Sequence, residues 1–194
     1  MTTQLLEKHM PEGAIGFIRN WLKPYRCAVR ITKARESKLG DYRAEFDGSH
    51  SISVNGDLAP QLFFFVLTHE IAHLIAFTST KKRIRPHGSE WKEAYKKLLL
   101  ESLEIYQEDF RPLVLVYAAA PKANYVSNPD IVRYFQESDG NFFLEDLPEG
   151  STFLFRDEPY HMQQRLKKRY ICKHLRTGVS YYFKACTRVA KHTE

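Results

Sequence analysis

Two kinds of hydrophobic patterning follow one another along the chain. Up to about residue 138 apolar positions mostly recur at helical spacing, whereas beyond 139 they come as short aromatic runs separated by glycines. Residues 11–22 predict a helix opened by Pro11 and Glu12, with Ile15, Ile18 and Leu22 on one face and Pro24 closing it. Residues 25–31 alternate, placing Cys27, Val29 and Ile31 on one side of a half-buried strand. The polar stretch 33–49, with Gly40 and Gly48, reads as loop or edge ribbon. Residues 51–54 form a second short strand, stopped by the turn signal Asn55-Gly56-Asp57. Pro60 opens a long apolar helix reaching about Phe77. A basic loop, 78–88, leads to Ser89, the expected cap of a helix from Glu90 to about Leu103. Residues 111–119 and 129–136 predict two further short helices.

The aromatic runs 142–144, 152–155, 169–172 and 181–183 predict a small β module. The expected class is α+β, with a domain over 1–138 and a β-rich module over 139–194. An aromatic content of 13% excludes wholesale disorder. The longest continuous apolar run, 113–120, falls far short of the roughly 18 residues of a membrane span. Three cysteines, at 27, 172 and 186, supply no disulfide framework. Together these features set the expectation of a cytoplasmic protein with no membrane partner.

Charge divides the chain again. Residues 156–194 carry a net +7, against −1 for the remainder. Such asymmetry points to a polyanionic partner, nucleic acid first. The candidate contacts are Arg165, Lys167, Lys168, Arg169, Lys173 and Arg176, with Tyr170, Tyr181 and Tyr182 near enough in sequence to stack on bases.

The chemistry lies in the apolar helix, which contains His69-Glu70-Ile71-Ala72-His73. Positions i and i+4 share a helix face, so His69 and His73 can present their rings to one metal ion. Glu70 then flanks that ion, where a carboxylate can take a proton from an activated water. Two histidines and a glutamate are costly in such a helix unless something satisfies them. A catalytic zinc wants three protein ligands. His87, in Pro86-His87-Gly88, is the favoured third, held by a stiff proline and a tight turn at the glycine, with Glu90 and Glu93 as rivals. Tyr42, Arg43 and Tyr95 are candidate oxyanion donors among which the sequence does not choose. His50 reads as a strand-end histidine and Trp91 as a packing anchor for the His87 loop.

The pattern His69-Glu70-Ile71-Ala72-His73 followed by His87-Gly88-Ser89-Glu90-Trp91 resembles the SprT-like zinc metallopeptidases, related to the Spartan DNA-dependent proteases. Arg35 to Gly40 and Ile52 to Asn55 sit where that family has an Arg/Gly-containing loop and a strand ending in Asn. The resemblance spans roughly 11–105. It implies a zincin-like core, one zinc per chain on His69, His73 and His87, Glu70 as general base, and protein substrates attached to or crosslinked with DNA. The tail departs from the family's zinc ribbon, because Leu175 stands where a second cysteine would follow Cys172. Cys172, His174 and Cys186 are poorly spaced for a tetrahedral site, so a ribbon-like module without metal is expected. Two other classes compete with the peptidase: a non-catalytic, zinc-containing nucleic-acid-binding protein, and a general peptidase indifferent to DNA. The basic loop residues Lys81, Lys82, Arg83 and Arg85 would add phosphate contacts beside the metal.

Overall fold

The computed structural model of the protein describes residues 3–80, 84–124, 128–135, 141–167 and 169–192. Its helices and sheets make an α+β chain that divides into two compact units, 1–128 and 129–194. The division falls ahead of the boundary expected near 138, which lies outside the described residues. The short helix Pro129–Tyr134 therefore goes with the second unit. There the Arg133 guanidinium donates to both carboxylate oxygens of Asp146 (3.0 and 2.6 Å) and to Glu145 (2.9 Å). It also lies over the Phe143 ring at 4.4 Å.

The first unit runs α1 (Thr3–Glu7), α2 (Ala14–Leu22), β1 (Cys27–Thr32), β2 (Gly40–Ala44), β3 (His50–Asn55), α3 (Pro60–Ser79), α4 (Ser89–Glu101), a 3-10 turn (Leu103–Ile105) and α5 (Arg111–Ala119). Helix α2 starts later than Pro11, because Gly13 takes a left-handed φ of 78° that a right-handed helix cannot contain. The stretch 33–49 holds a true edge strand. The sheet order is β1-β3-β2, with β3 parallel to β1 and antiparallel to β2. As the central strand, β3 carries the fully buried Ile52 and Val54.

Helix α3 is apolar on nearly every side, and Phe63, Phe64, Leu67, Ile71 and Leu74 are wholly buried. It is long and apolar enough to cross a bilayer, yet 67% of its apolar window is buried inside the protein, as in a core helix. It runs two residues beyond the expected Phe77. The Thr78 hydroxyl donates back to the carbonyls of Leu74 and Ile75, and that of Ser79 to Ala76, one of the last-turn acceptors that a helix end leaves free. Ser89 is not a cap. It is the first residue of α4, its hydroxyl donates to Glu90 at 3.1 Å, and Gly88 precedes it.

A polar clamp holds the loop that leads into β2. The side chain of Asn55, only 1% exposed, accepts from Arg35 Nε at 2.8 Å and donates to the carbonyls of Arg35 (3.1 Å) and Lys38 (3.2 Å). Arg35 also donates to Ser53 Oγ at 3.1 Å.

The second unit contains α6 (Pro129–Tyr134), β4 (Phe142–Phe143), β5 (Thr152–Phe155), β6 (Glu158–Arg165), β7 (Arg169–His174), β8 (Ser180–Lys184) and β9 (Arg188–Lys191). Its antiparallel sheet has the order β4-β9-β5-β6-β7-β8. Strands β6 and β9 carry few apolar residues and escape the aromatic pattern. The β5–β6 turn also hides itself: Arg156 and Asp157 take φ of 52° and 63°, the left-handed pair of a two-residue hairpin, without glycine or asparagine. Leu144, Phe153, Met162 and Val189 enclose Cys172, which is fully buried. His174 serves the β7–β8 turn, its Nδ1 accepting from the N–H groups of Arg176 and Thr177 at 3.2 Å each.

Truncating Asn55 would leave the half-buried carbonyls of Arg35 and Lys38 and the Arg35 guanidinium without this partner. Asn55→Ala should destabilise the protein by about 1–3 kcal/mol, read as a lower denaturant midpoint. An unchanged midpoint would show that the clamp contributes nothing.

Candidate metal centre

His69 and His73 stand one turn apart on α3, and a separate turn brings His87 to them. The three Nε2 atoms lie 3.2 Å (His69–His73), 3.0 Å (His73–His87) and 3.2 Å (His69–His87) apart. Tetrahedral coordination with metal–nitrogen bonds of about 2.0–2.1 Å sets ligand nitrogens about 3.3 Å apart. The triangle is close to that size, so the three residues could hold one metal ion. Among the described residues no other group of His, Cys, Asp and Glu is so placed, and neither Glu90 nor Glu93 joins it.

The environment keeps the rings neutral, as metal ligation requires. Burial, reinforced by the neighbouring His73 and His87, pushes His69 down to about 2. Burial and then His87 push His73 down to about 4, and burial also lowers His87.

His87 owes its position to a tight turn. Gly88 N–H donates to Arg85 O at 3.0 Å, Pro86 fills the second position, and His87 takes a φ of 57° at the third. This is the pattern of a type II turn, in which glycine ordinarily holds that third position. A left-handed histidine costs about 1 kcal/mol. Gly88 does not supply the left-handed residue, having a φ of −71°. It supplies room, since a Cβ there would lie 3.0 Å from Arg85 O.

Trp91, from the first turn of α4, is the wall that all three imidazoles share. Its ring lies 4.7 Å from His69, 5.5 Å from His73 and 4.6 Å from His87, and its Nε1–H donates to the His69 carbonyl at 3.3 Å. It therefore anchors the whole cluster, more than the His87 loop alone. On the opposite side the Tyr42 ring lies parallel to His73, at 6.3 Å.

Glu70 is 7% exposed, and burial pushes its carboxyl up to about 8. Asp41 adds to that rise, and Arg35 and Lys38 oppose it. Strand β2 passes so close that a Cβ on Gly40 would come within 2.5 Å of Glu70 Oε1 and 2.9 Å of Val66 Cγ1. The Arg35–Asn55 clamp and Gly40 thus belong to the site, because they deliver β2 against the carboxylate. The sequence left their physical role unread. A cleft of about 650 Å³ opens over His69, Glu70, His73 and His87, bounded by residues 36–42 and by Phe77, Ile84, Pro86 and Tyr95.

Of the three oxyanion candidates, Tyr95 is fully buried and its hydroxyl donates to Phe65 O at 3.1 Å. Arg43 is exposed, pairs with Asp41 at 2.8 Å and does not line the cleft. Tyr42 does line it, its hydroxyl 3.0 Å from His50 Nδ1. His50 is thus a partner of the cleft wall, more than a strand-end residue.

The C-terminal basic residues do not gather into one patch. Arg169 and Lys173 lie on the outer face of β7, opposite Lys184 and Ser180 of β8, with Ile171 and the 66%-exposed Tyr182 between them. Arg165 instead lies over the ring of Tyr170 at 5.7 Å, and Tyr170 is buried and unable to stack on a base. Arg176 pairs with Glu158 at 3.5 Å, and Lys167 is exposed before β7. Lys168 and the loop residues Lys81, Lys82 and Arg83 lie outside the described residues.

An α+β fold carrying three histidines able to share a metal ion beside a buried glutamate is the class that the first unit defines. The SprT-like family model matches residues 19–107, and this segment is a SprT-like domain. Neither the curated proteins nor the solved structures compared with the chain gave a match.

Elemental analysis of the purified protein should find one bound transition-metal ion per chain, and far less in His87→Ala. Full retention of the metal in that variant would remove His87 from the ligand set.

Proposed function

We propose that the first unit is a zinc-dependent peptidase with a zincin-like core. The observation that carries this reading is Glu70: a buried carboxylate, one residue after a metal-ligating histidine, opening on the cleft beside the three ring nitrogens. A site that only held a metal for structure would have no use for that carboxylate, and would close the fourth position instead.

Zinc, when bound, supplies the Lewis acidity that polarises a peptide carbonyl and makes water a nucleophile near neutral pH. His69, His73 and His87 would hold it, and the donor set of three neutral imidazoles suits it. Glu70 accepts a proton from the attacking water and returns it to the departing amine nitrogen, acting first as base and then as acid. Gly40 leaves the carboxylate its space, and Trp91 fixes the ligand rings while helping to keep water out behind them.

Nucleic acid is the second partner we propose, favoured by the outer face of β7 and β8. Arg169, Lys173 and Lys184 surround Tyr182 there, a basic platform with an exposed ring on which a base can stack. It suits single strands read without sequence preference, and would direct the peptidase to proteins held on nucleic acid.

Glu70→Gln keeps the shape of the side chain and removes the base. Zinc content should stay at the wild-type level while cleavage of an unfolded protein falls by about 10²–10⁴-fold. Wild-type rates in this variant would exclude Glu70 as the proton acceptor. For the second partner, titration of the full chain with single-stranded oligonucleotides at several salt concentrations should give a steep salt slope. Arg169→Ala with Lys173→Ala should lower that slope by about 0.7 per lost phosphate contact, and Tyr182→Ala should weaken binding at every salt concentration. Binding unaltered in these variants would remove the face from the reading.

A further inference from the structure

The floor of the cleft is a single stripe of α3. Phe65, His69, His73 and Phe77 follow one another at intervals of four residues and so share a helix face. The two phenylalanines at its ends have opposite fates. Phe65 is 2% exposed, shut in by the edge-on rings of Tyr95 and Tyr117. Phe77 is 48% exposed, although it sits on a rigid helix one turn beyond a metal ligand. One end of the stripe is sealed and the other is open.

The open end is walled with apolar groups. The Tyr42 ring lies 6.1 Å from Phe77, tilted, and His50 meets Phe77 edge-on at the same distance. Ile84 and Pro86, from the segment carrying His87, also line the cleft, and Pro86 is adjacent to the ligand in sequence. Tyr42 brings its one polar atom already engaged by His50 Nδ1, which leaves the ring for apolar contact. Of the charged cleft residues, Glu36 and Lys38 lie on the loop ahead of β2 and Glu70 on an earlier turn of α3, while Asp41, next to Tyr42 on β2, is paired with Lys38 and Arg43 at 2.8 Å each. A single exposed phenylalanine is unremarkable on a protein surface. One that lines a cleft together with Tyr42, Ile84 and Pro86, beside reactive side chains, has the composition of a binding pocket.

We propose that Phe77, Tyr42, Ile84 and Pro86 form a side-chain subsite that selects substrates with a bulky apolar residue close to the bond that is cut. This rests on the peptidase reading of the same cleft. An aromatic or branched aliphatic side chain removes the Phe77 ring from water and gains the transfer energy of both surfaces. A serine or alanine there covers little of it, and a carboxylate is desolvated against four groups that offer no partner. The preference arises after the metal centre is assembled, so it bears on which bond is cut and not on whether the site forms.

The test begins with zinc-loaded wild-type protein and a complex peptide mixture, the new termini being read by mass spectrometry. Cleavage sites should be enriched in Phe, Leu, Ile or Tyr at one position beside the cut bond. Two matched peptides, differing only by Phe or Ser at that position, should then differ in kcat/KM by about tenfold or more. In Phe77→Ser that ratio should fall toward one, and Phe77→Leu should restore most of it. Because Phe77 is half exposed, neither substitution removes a core contact. Cleavage without apolar enrichment, enrichment of acidic residues instead, or a ratio unaltered in Phe77→Ser would each overturn the subsite while leaving the peptidase standing. No cleavage of any peptide by the zinc-loaded protein would overturn the peptidase reading, and the subsite with it.

Discussion

A helix that is apolar on nearly every side cannot remain in water, and α3 imposes this requirement on the whole first unit. The strands β2 and β3 cover one flank, α4 another, and Phe64 and Phe65 are packed by Tyr106 and by Phe110 ahead of α5. In the middle of the helix His69 and His73 are left half-buried, facing the cleft. The polar groups are therefore placed where the hydrophobic covering stops. Rings at the border of a core are desolvated enough to stay neutral and reachable enough to share a ligand, a combination that neither a surface helix nor a sealed one provides.

Around that border, rigidity comes from groups that never touch the cleft's contents. Trp91 holds three rings with one indole and ties itself to the helix backbone through its N–H. The Arg35–Asn55 clamp acts at longer range. By fixing residues 35–39 it determines where β2 begins, and hence how closely Gly40 approaches Glu70. A loop folded on a satisfied network of directional hydrogen bonds specifies one arrangement, which hydrophobic contact alone does not guarantee.

The site was more legible in the sequence than the fold around it. The spacing of His69 and His73 fixes their common face through helix geometry alone, and Pro86 beside His87 marks a constrained turn. The same reading missed the roles of Gly40 and His50, because their neighbours are distant in sequence: Gly40 meets α3 and His50 meets Tyr42 across a strand pair. The tight turn expected at Gly88 is present, but the left-handed residue in it is His87, whose residue type gives no such signal. In the second unit, β6 and β9 were lost because polar strands leave no alternation to read. The basic residues suggested one patch, yet strand alternation sends Arg165 and Arg169 to opposite sides of the sheet. Tyr170 goes to the core for the same reason.

The left-handed backbone at position 87 restricts chemistry as well as shape. Several side chains can serve as a third metal ligand, including cysteine, glutamate, aspartate and histidine. Only some of these tolerate a positive φ, with aspartate and histidine several-fold enriched there over other non-glycine residues. The turn that delivers the ligand thus screens candidates by their backbone before any is judged by its affinity for the ion. In this protein a dihedral angle of 57° narrows the choice to a nitrogen donor or a hard oxygen and disfavours a thiolate, so that part of the preference among metals is written into the main chain.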